Sequence, residues 1–214
     1  MEIISIEAGP LLTNTYIAVD DKTKKSVIID APMDSISLLK PMIKKRDLEI
    51  EAILLTHTHW DHAADTADLK DEYGADVILH KDDLFRLTEP NEHSVFPLPY
   101  EIKSASGDRY VDDGDTVTFG NIDLEVLHTP GHTAGGICFW NKEHKVVFCG
   151  DTVFRESVGR VDLPGGSADV LAKSIKEKLL SLDDETKLLP GHGPSTTVGY
   201  EKKNNPFFRE LGIT

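Results

Sequence analysis

The opening of the chain alternates short apolar, β-branched stretches with polar turns. "EIISIEA", "NTYIAVD" and "SVIIDAP" predict strands over 2–8, 14–20 and 26–32, with "DKTKK" as a hairpin turn between the second and third. Residues 34–46 predict a helix that Pro41 should kink or end. "EAILLT" is an apolar run of strand length that stops directly at His57. "DHAADTADLKDEYG" predicts a helix over 61–74 closed by Gly74, and "ADVILH" predicts the next strand. Between 88 and 110 four positions are proline or glycine, which predicts a long loop. Strand patterns return in "DTVTFG", "IDLEVLH", "GGICFW" and "KVVFCG". Leu171, Ile175, Leu179 and Leu182 then recur at helical spacing behind Ser167, a good N-cap, and predict a helix over 167–182. "TKLLPGHGPST" reads as a strand running into a loop framed by glycine and proline. Each half is a run of strands followed by a helix. That order is less like alternating βαβ than like two packed sheets with helices outside.

The length, 214 residues, allows one large domain or two small ones, and an apolar content of 39% suffices for a core. The charge balance, 23 basic against 37 acidic residues, gives −14 and argues against a general nucleic-acid binder, which needs a basic face. "MEIISIEAGP" lacks the basic and then apolar pattern of a signal peptide. No stretch approaches the roughly 18 apolar residues of a membrane span. The expectation is a cytoplasmic protein with neither membrane nor nucleic-acid partner. Cys138 and Cys149 both lie in apolar strand patterns and read as buried free thiols.

The chemistry concentrates in "THTHWDH" at 56–62, which holds three histidines and an aspartate. His57 and His59 are two apart, so an extended chain points them the same way. Asp61 and His62 follow where the chain turns into a helix. His132 in "TPGHT", His192 in "LPGHG" and Asp151 in "FCGDT" each follow an apolar strand and a glycine. Five imidazoles and two carboxylates exceed the four ligands of one tetrahedral zinc. They suit two ions about 3.5–4 Å apart. Nitrogen and oxygen donors without thiolate fit zinc, manganese or iron. His80, His93, His128 and His144 read as structural or solvated, with His128 a candidate to support a ligand.

These four motifs resemble the metal motifs of the metallo-β-lactamase fold superfamily, and Asp30 in "VIIDAP" matches a further one. Within it, "SVGRVDLPGG" and "LPGHGPSTTVGYEKKNNPF" are similar to the glyoxalase II-like branch, the hydroxyacylglutathione hydrolases, in its short single-domain form. The resemblance implies one domain over 1–214, an α/β four-layer αββα sandwich with the site at one edge between the sheets. It implies that one metal takes His57, His59 and His132, the other takes Asp61, His62 and His192, and Asp151 bridges them. Asp30 would hold a ligand imidazole by its other N–H. Full-length glyoxalase II carries a further helical domain that grips glutathione, whereas 22 residues follow His192 here. Arg160, Tyr200, Lys202, Lys203 and Arg209 are left as candidates for a reduced anion contact, Arg160 first.

The activity this implies is hydrolysis of thioesters, hydroxyacyl-glutathione or a related acyl-thiol, by a metal-bridging hydroxide that Asp61 orients. Two divalent ions are the implied cofactors, zinc first, with iron or manganese as alternatives. A thiol with a pKa near 8.5 leaves without a donated proton, so a thioester asks least of these residues. The competing readings are a lactonase or phosphodiesterase on the same scaffold and a mononuclear iron persulfide dioxygenase, whose motif "GRVD" resembles. β-Lactam hydrolysis is set aside for want of an export signal. Sequence leaves the oligomeric state open.

Overall fold

Successive residues of the central strands are apolar on both faces. In β3 (Lys25–Ile29), Val27 and Ile29 enter one core while Ile28 enters another. In β10 (Val146–Gly150), Phe148 faces one core and Val147 and Cys149 face a different one. Such strands must be covered on both sides, which explains their unbroken apolar runs. The computed structural model describes residues 1–94, 97–98 and 100–213. Positions 95, 96 and 99 of the predicted loop, and Thr214 of the predicted domain, lie outside the described residues.

The first sheet has six strands in sequential order: β1 (Glu2–Ala8), β2 (Thr13–Val19), β3, β4 (Glu49–Leu54), β5 (Asp76–Leu79) and β6 (Arg109–Tyr110). The second comprises β7 (Thr116–Phe119), β8 (Ile122–His128), β9 (Ile137–Asn141), β10, β13 (Lys187–Pro190) and β14 (Thr196–Thr197). A separate hairpin, β11 (Val153–Phe154) with β12 (Ser157–Val158), lies between β10 and β13 in the chain. Between the sheets, Tyr16 and Val27 meet Phe119, Phe139 and Phe148. The Tyr16 and Phe148 rings meet edge-on, 5.5 Å apart. On the outer face of the first sheet lie α1 (Ser35–Arg46) and α3 (Thr66–Tyr73), through Leu39, Ile43 and Leu69. On that of the second lies α5 (Ala168–Ser174), through Leu171. The result is the four-layer αββα sandwich.

Several elements depart from expectation for tertiary reasons. The first sheet does contain βαβ alternation: β3, β4, β5 and β6 run parallel, and all three connections pass through helices. The α1 helix passes through Pro41 to Arg46 rather than ending there. A proline inside a helix costs about 3 kcal/mol, and two fully buried aliphatic side chains return a comparable sum. Here these are Leu39 and Ile43. The predicted helix over 61–74 is broken into α2 (Trp60–Ala63) and α3. Ala31 lies at the break: its N–H donates to the His62 carbonyl and its carbonyl accepts from Asp65 N–H. The freed Asp65 carboxylate then accepts from Ile36 N–H and Ser35 Oγ, capping α1 from another element. Ser167 caps α5 as expected, accepting from Val170 N–H, but the helix widens to a π-turn over Ile175–Leu179. Unforeseen elements are α4 (Leu84–Thr88), α6 (Val198–Asn204), α7 (Pro206–Glu210) and the short strands β6, β11, β12 and β14. Both cysteines are buried and unpaired, and burial pushes the Cys138 thiol up to about 11.

Candidate metal centre

Four strands end at one edge of the sandwich and carry the predicted residues there. The segment leaving β4 delivers His57 and His59, and α2 begins at once, so Asp61 and His62 occupy its first turn. His132 follows β8, Asp151 follows β10, and His192 follows β13. Neighbouring strands end together, so residues far apart in sequence become adjacent. Gly191 is required by the close approach: a Cβ there would lie 2.2 Å from Asp151 Oδ1 and 2.4 Å from His62 Cε1.

The seven side chains converge. His57, His59 and His132 bring one nitrogen each within 4.8 Å of one another, and so do Asp61, His62 and His192 with their ligand atoms. His59 Nδ1 is 2.9 Å and His57 Nε2 3.3 Å from His132 Nε2. In the second trio, His192 Nε2 is 3.2 Å from Asp61 Oδ2 and 3.4 Å from His62 Nε2. Asp151 stands between them, its Oδ2 3.6 Å from His132 Nε2 and 3.7 Å from His192 Nε2.

The surroundings decide which nitrogen of each ring is free. His62 Nδ1 donates to Asp30 Oδ2 at 2.8 Å, His132 Nδ1 to the Arg160 carbonyl at 2.7 Å, and His192 Nδ1 to the Leu11 carbonyl at 3.2 Å. Each Nε2 therefore turns a lone pair inward. Asp30 also accepts from Thr56 N–H and Oγ1, both at 2.8 Å, and Thr56 Oγ1 lies 3.2 Å from His57 Nδ1. It holds a left-handed backbone, φ 59°, to reach them.

This arrangement fits metal ions. His62 Nε2 faces Asp151 Oδ1 at 3.2 Å, and Oδ1 is buried with no hydrogen-bond donor. Lone pairs that face one another at such distances need a positive charge between them. Burial, reinforced by neighbouring imidazoles, holds His57 well below the ordinary histidine range, and burial with His132 pushes His59 down to about 3. Burial opposes ionisation of Asp61 and Asp151, but His62 outweighs it and both carboxyls stay low. Burial likewise opposes charge on His62, yet Asp151, Asp30 and Asp61 raise it well above its usual value. A further cluster, His80, Asp112 and His128, has ligand atoms equally close. Its rings stack at 4.2 Å and 10°, so one ion cannot lie in both ring planes. His128 instead donates through Nε2 to the Ala134 carbonyl in the loop bearing His132.

Sequence reasoning missed the residues that brace the centre. Asp83, fully buried, accepts from Gly135 N–H at 2.9 Å and from Arg86, and its carbonyl accepts from Thr58 Oγ1 at 2.6 Å. It ties the loop of His57 and His59 to the loop of His132. Asn14 donates to the Pro190 and Gly193 carbonyls and Tyr16 to Pro190, holding the loop of His192. For Asn14 the signal was a polar residue inside an apolar strand pattern; Asp83, in "HKDDL", gave none.

A cavity of about 880 Å³ opens beside the cluster, lined by His59, Asp61, His132, Asp151 and His192 and by apolar side chains. Arg160 is on its wall, paired side-on with Asp162 at 2.7 and 2.8 Å. Tyr200 and Lys202 are not among the lining residues. Tyr200 donates to Glu156 and Lys202 pairs with Asp184 at 2.6 Å.

The sequence pattern of the metallo-β-lactamase superfamily matches residues 8–192. The chain belongs to that superfamily. Hydroxyacylglutathione hydrolase GloC of Haemophilus influenzae is 36% identical over 210 residues, 97% of each protein. The crystal structure of BLEG-1, a B3 metallo-β-lactamase, superposes with a TM-score of 0.90 at 34% identity, covering 97% of this chain and 99% of that one. The crystal structure of TTHA1623 in a di-iron-bound form gives 0.77 at 35% identity, over 95% and 99%. Membership of the superfamily and the His/Asp cluster together indicate a metal-dependent hydrolase. Among the described residues no helix is long and apolar enough to cross a membrane.

Proposed function

We propose that the protein is a dinuclear metal-dependent hydrolase of thioesters. The observation that carries the two-ion reading is the pair of three-residue ligand sets with Asp151 between them. A single-iron site would use only part of this donor set and leave buried carboxylate and imidazole lone pairs unmatched. The similarity to a hydroxyacylglutathione hydrolase supports the thioester.

His57, His59 and His132 would hold one ion and Asp61, His62 and His192 the other, with Asp151 shared; zinc is the first choice, iron or manganese the alternatives. Bound there, the ions would supply a nucleophile ionised near neutral pH and a Lewis acid for the carbonyl oxygen. Asp61 would accept a hydrogen bond from the attacking water and so orient it toward the carbonyl carbon. Asp30 keeps His62 in the tautomer that presents Nε2, and the Arg160 carbonyl does so for His132. The thiol departs as thiolate, so no side chain need protonate it.

The test is one acyl group carried on a thiol, an alcohol and an amine, beside a lactone, a phosphodiester and a cephalosporin. The metal-loaded protein should show its highest kcat/KM with the thioester. An inert thioester beside rapid turnover of any other substrate would overturn the assignment while leaving the metal centre intact.

A further inference from the structure

The cavity beside the cluster has a wall unlike that of a site for a charged carrier. Leu11, Trp60, Phe85, Ile102, Phe154 and Val158 are among its apolar lining. Leu11 is 51% and Phe85 39% exposed, large apolar groups left facing water at the mouth. Covering such groups with an apolar ligand is favourable in proportion to the area removed from water.

The cations on the wall are engaged with carboxylates. Arg86 is buried, pairs with Asp83 at 3.1 Å and donates to the Pro164 carbonyl at 2.8 Å. Lys103 pairs with Asp68, and Arg160 grips Asp162 through two hydrogen bonds. Glu92 adds negative charge to the same lining. An anionic ligand would have to displace a carboxylate from its partner and approach Glu92. A neutral hydrocarbon chain meets neither obstacle.

We propose that this cavity takes an uncharged, apolar acyl chain, with the scissile carbonyl at its metal-cluster end. The proposal rests on the thioester reading above and sharpens its substrate: a medium-chain acyl-thiol in place of a small hydroxyacyl group on an anionic carrier. The expectation that Arg160 grips an anion is the competing outcome.

Two measurements separate this proposal from the reading beneath it. The first follows kcat/KM of the metal-loaded enzyme for thioesters of neutral N-acetylcysteamine, from acetyl to decanoyl, and for the matching glutathione thioesters. Each added CH₂ should raise kcat/KM about two- to fourfold until the cavity is filled. Glutathione should give no advantage over the neutral thiol. Leu11→Ser and Phe85→Ser alter exposed positions, so the fold tolerates them, and both should flatten the chain-length gain. The second measurement is independent of turnover: Trp60 lines the cavity, so its fluorescence should respond to non-hydrolysable 2-alkanones with an affinity that rises with chain length. Trp60→Phe is the control: it leaves only Trp140, and the response should disappear. Thioester turnover without dependence on chain length, or a glutathione preference abolished by Arg160→Ala, would overturn the apolar chain and leave the hydrolase. Chain-length-dependent fluorescence with inert thioesters would uphold the apolar cavity and remove the thioester.

Discussion

Asp61 and Asp30 show how two aspartates at one site take different tasks. Asp61 opens on the cavity and reaches His192 Nε2 at 3.2 Å, whereas Asp30 is buried behind His62. Asp61→Ala should lower kcat by roughly 10²–10³, the scale of losing an oriented polar group at a reacting centre. The set of His57, His59 and His132 should stay loaded, so metal content should fall from two equivalents toward one. Equal loss of both ions would show that Asp61 only maintains the site. Asp30→Asn keeps the shape and removes the charge that fixes the His62 tautomer. Metal affinity should weaken about 10–100-fold, read by competition with a chromophoric chelator. Unchanged affinity would confine Asp30 to bracing Thr56.

At the scale of elements, the joints between layers are polar and specific. Asp20, in the turn after β2, accepts from Lys22 N–H and Thr23 Oγ1 of its own turn. It also accepts from Asn121 N–H and Nδ2, in the turn joining β7 to β8 of the other sheet. Gly120 beside it has φ 52°, and a Cβ there would lie 2.5 Å from Asp20 Oδ2. The Lys22 N–H, with the Asn121 and Thr23 donors, holds the Asp20 carboxyl well below its usual range against burial. A depressed folded-state pKa gives stability that is complete above the unfolded value, about 3.9, and is lost as pH falls through the folded value. Asp20→Asn should therefore lower Tm at pH 7. Its gap from the parent should close as pH drops below about 4, measured by thermal melts across pH. A gap that persists unchanged in acid would assign the effect to shape instead of charge. Asp65→Ala removes the cap on α1 and should cost about 1 kcal/mol in urea unfolding; no change would show that the α1 terminus is satisfied otherwise.

For the whole molecule, stability and metal content are linked. The ligands come from the ends of β4, β8, β10 and β13, which span both sheets, so ions bound there bind only the folded chain. Elemental analysis of gently purified protein should approach two equivalents, and a chelator should lower Tm. Stabilisation by mass action reaches about 4 kcal/mol when free metal exceeds Kd a thousandfold. A firm single equivalent, unmoved by added zinc, iron or manganese, would remove the dinuclear assignment. The inter-sheet core should carry the metal-free fold: Phe148→Ala, at a fully buried ring packed against Tyr16, should cost about 3–5 kcal/mol.

The chemistry was legible in the sequence because its signals are local. Each ligand motif follows an apolar strand or a glycine turn, so "LLTHTH", "FCGDT" and "LPGHG" declare strand end and donor together. The layering was legible in the order of strand runs and helices and in the family resemblance, and strands apolar on both faces are its physical reason. What sequence could not supply are relations between distant positions. The break at Ala64 and Asp65 depends on hydrogen bonds to Ala31, and the passage of α1 through Pro41 depends on burial against the first sheet. Asp83 looked like one acid in "HKDDL" until folding placed it between Thr58 and Gly135. Arg160, Lys202 and Tyr200 read as candidates for an anion contact because sequence shows a charge or a hydroxyl but not its neighbour. The structure pairs them with Asp162, Asp184 and Glu156. Donor type and strand end are properties of a short segment, whereas pairing, capping and the wall of a cavity depend on what the rest of the chain brings against it.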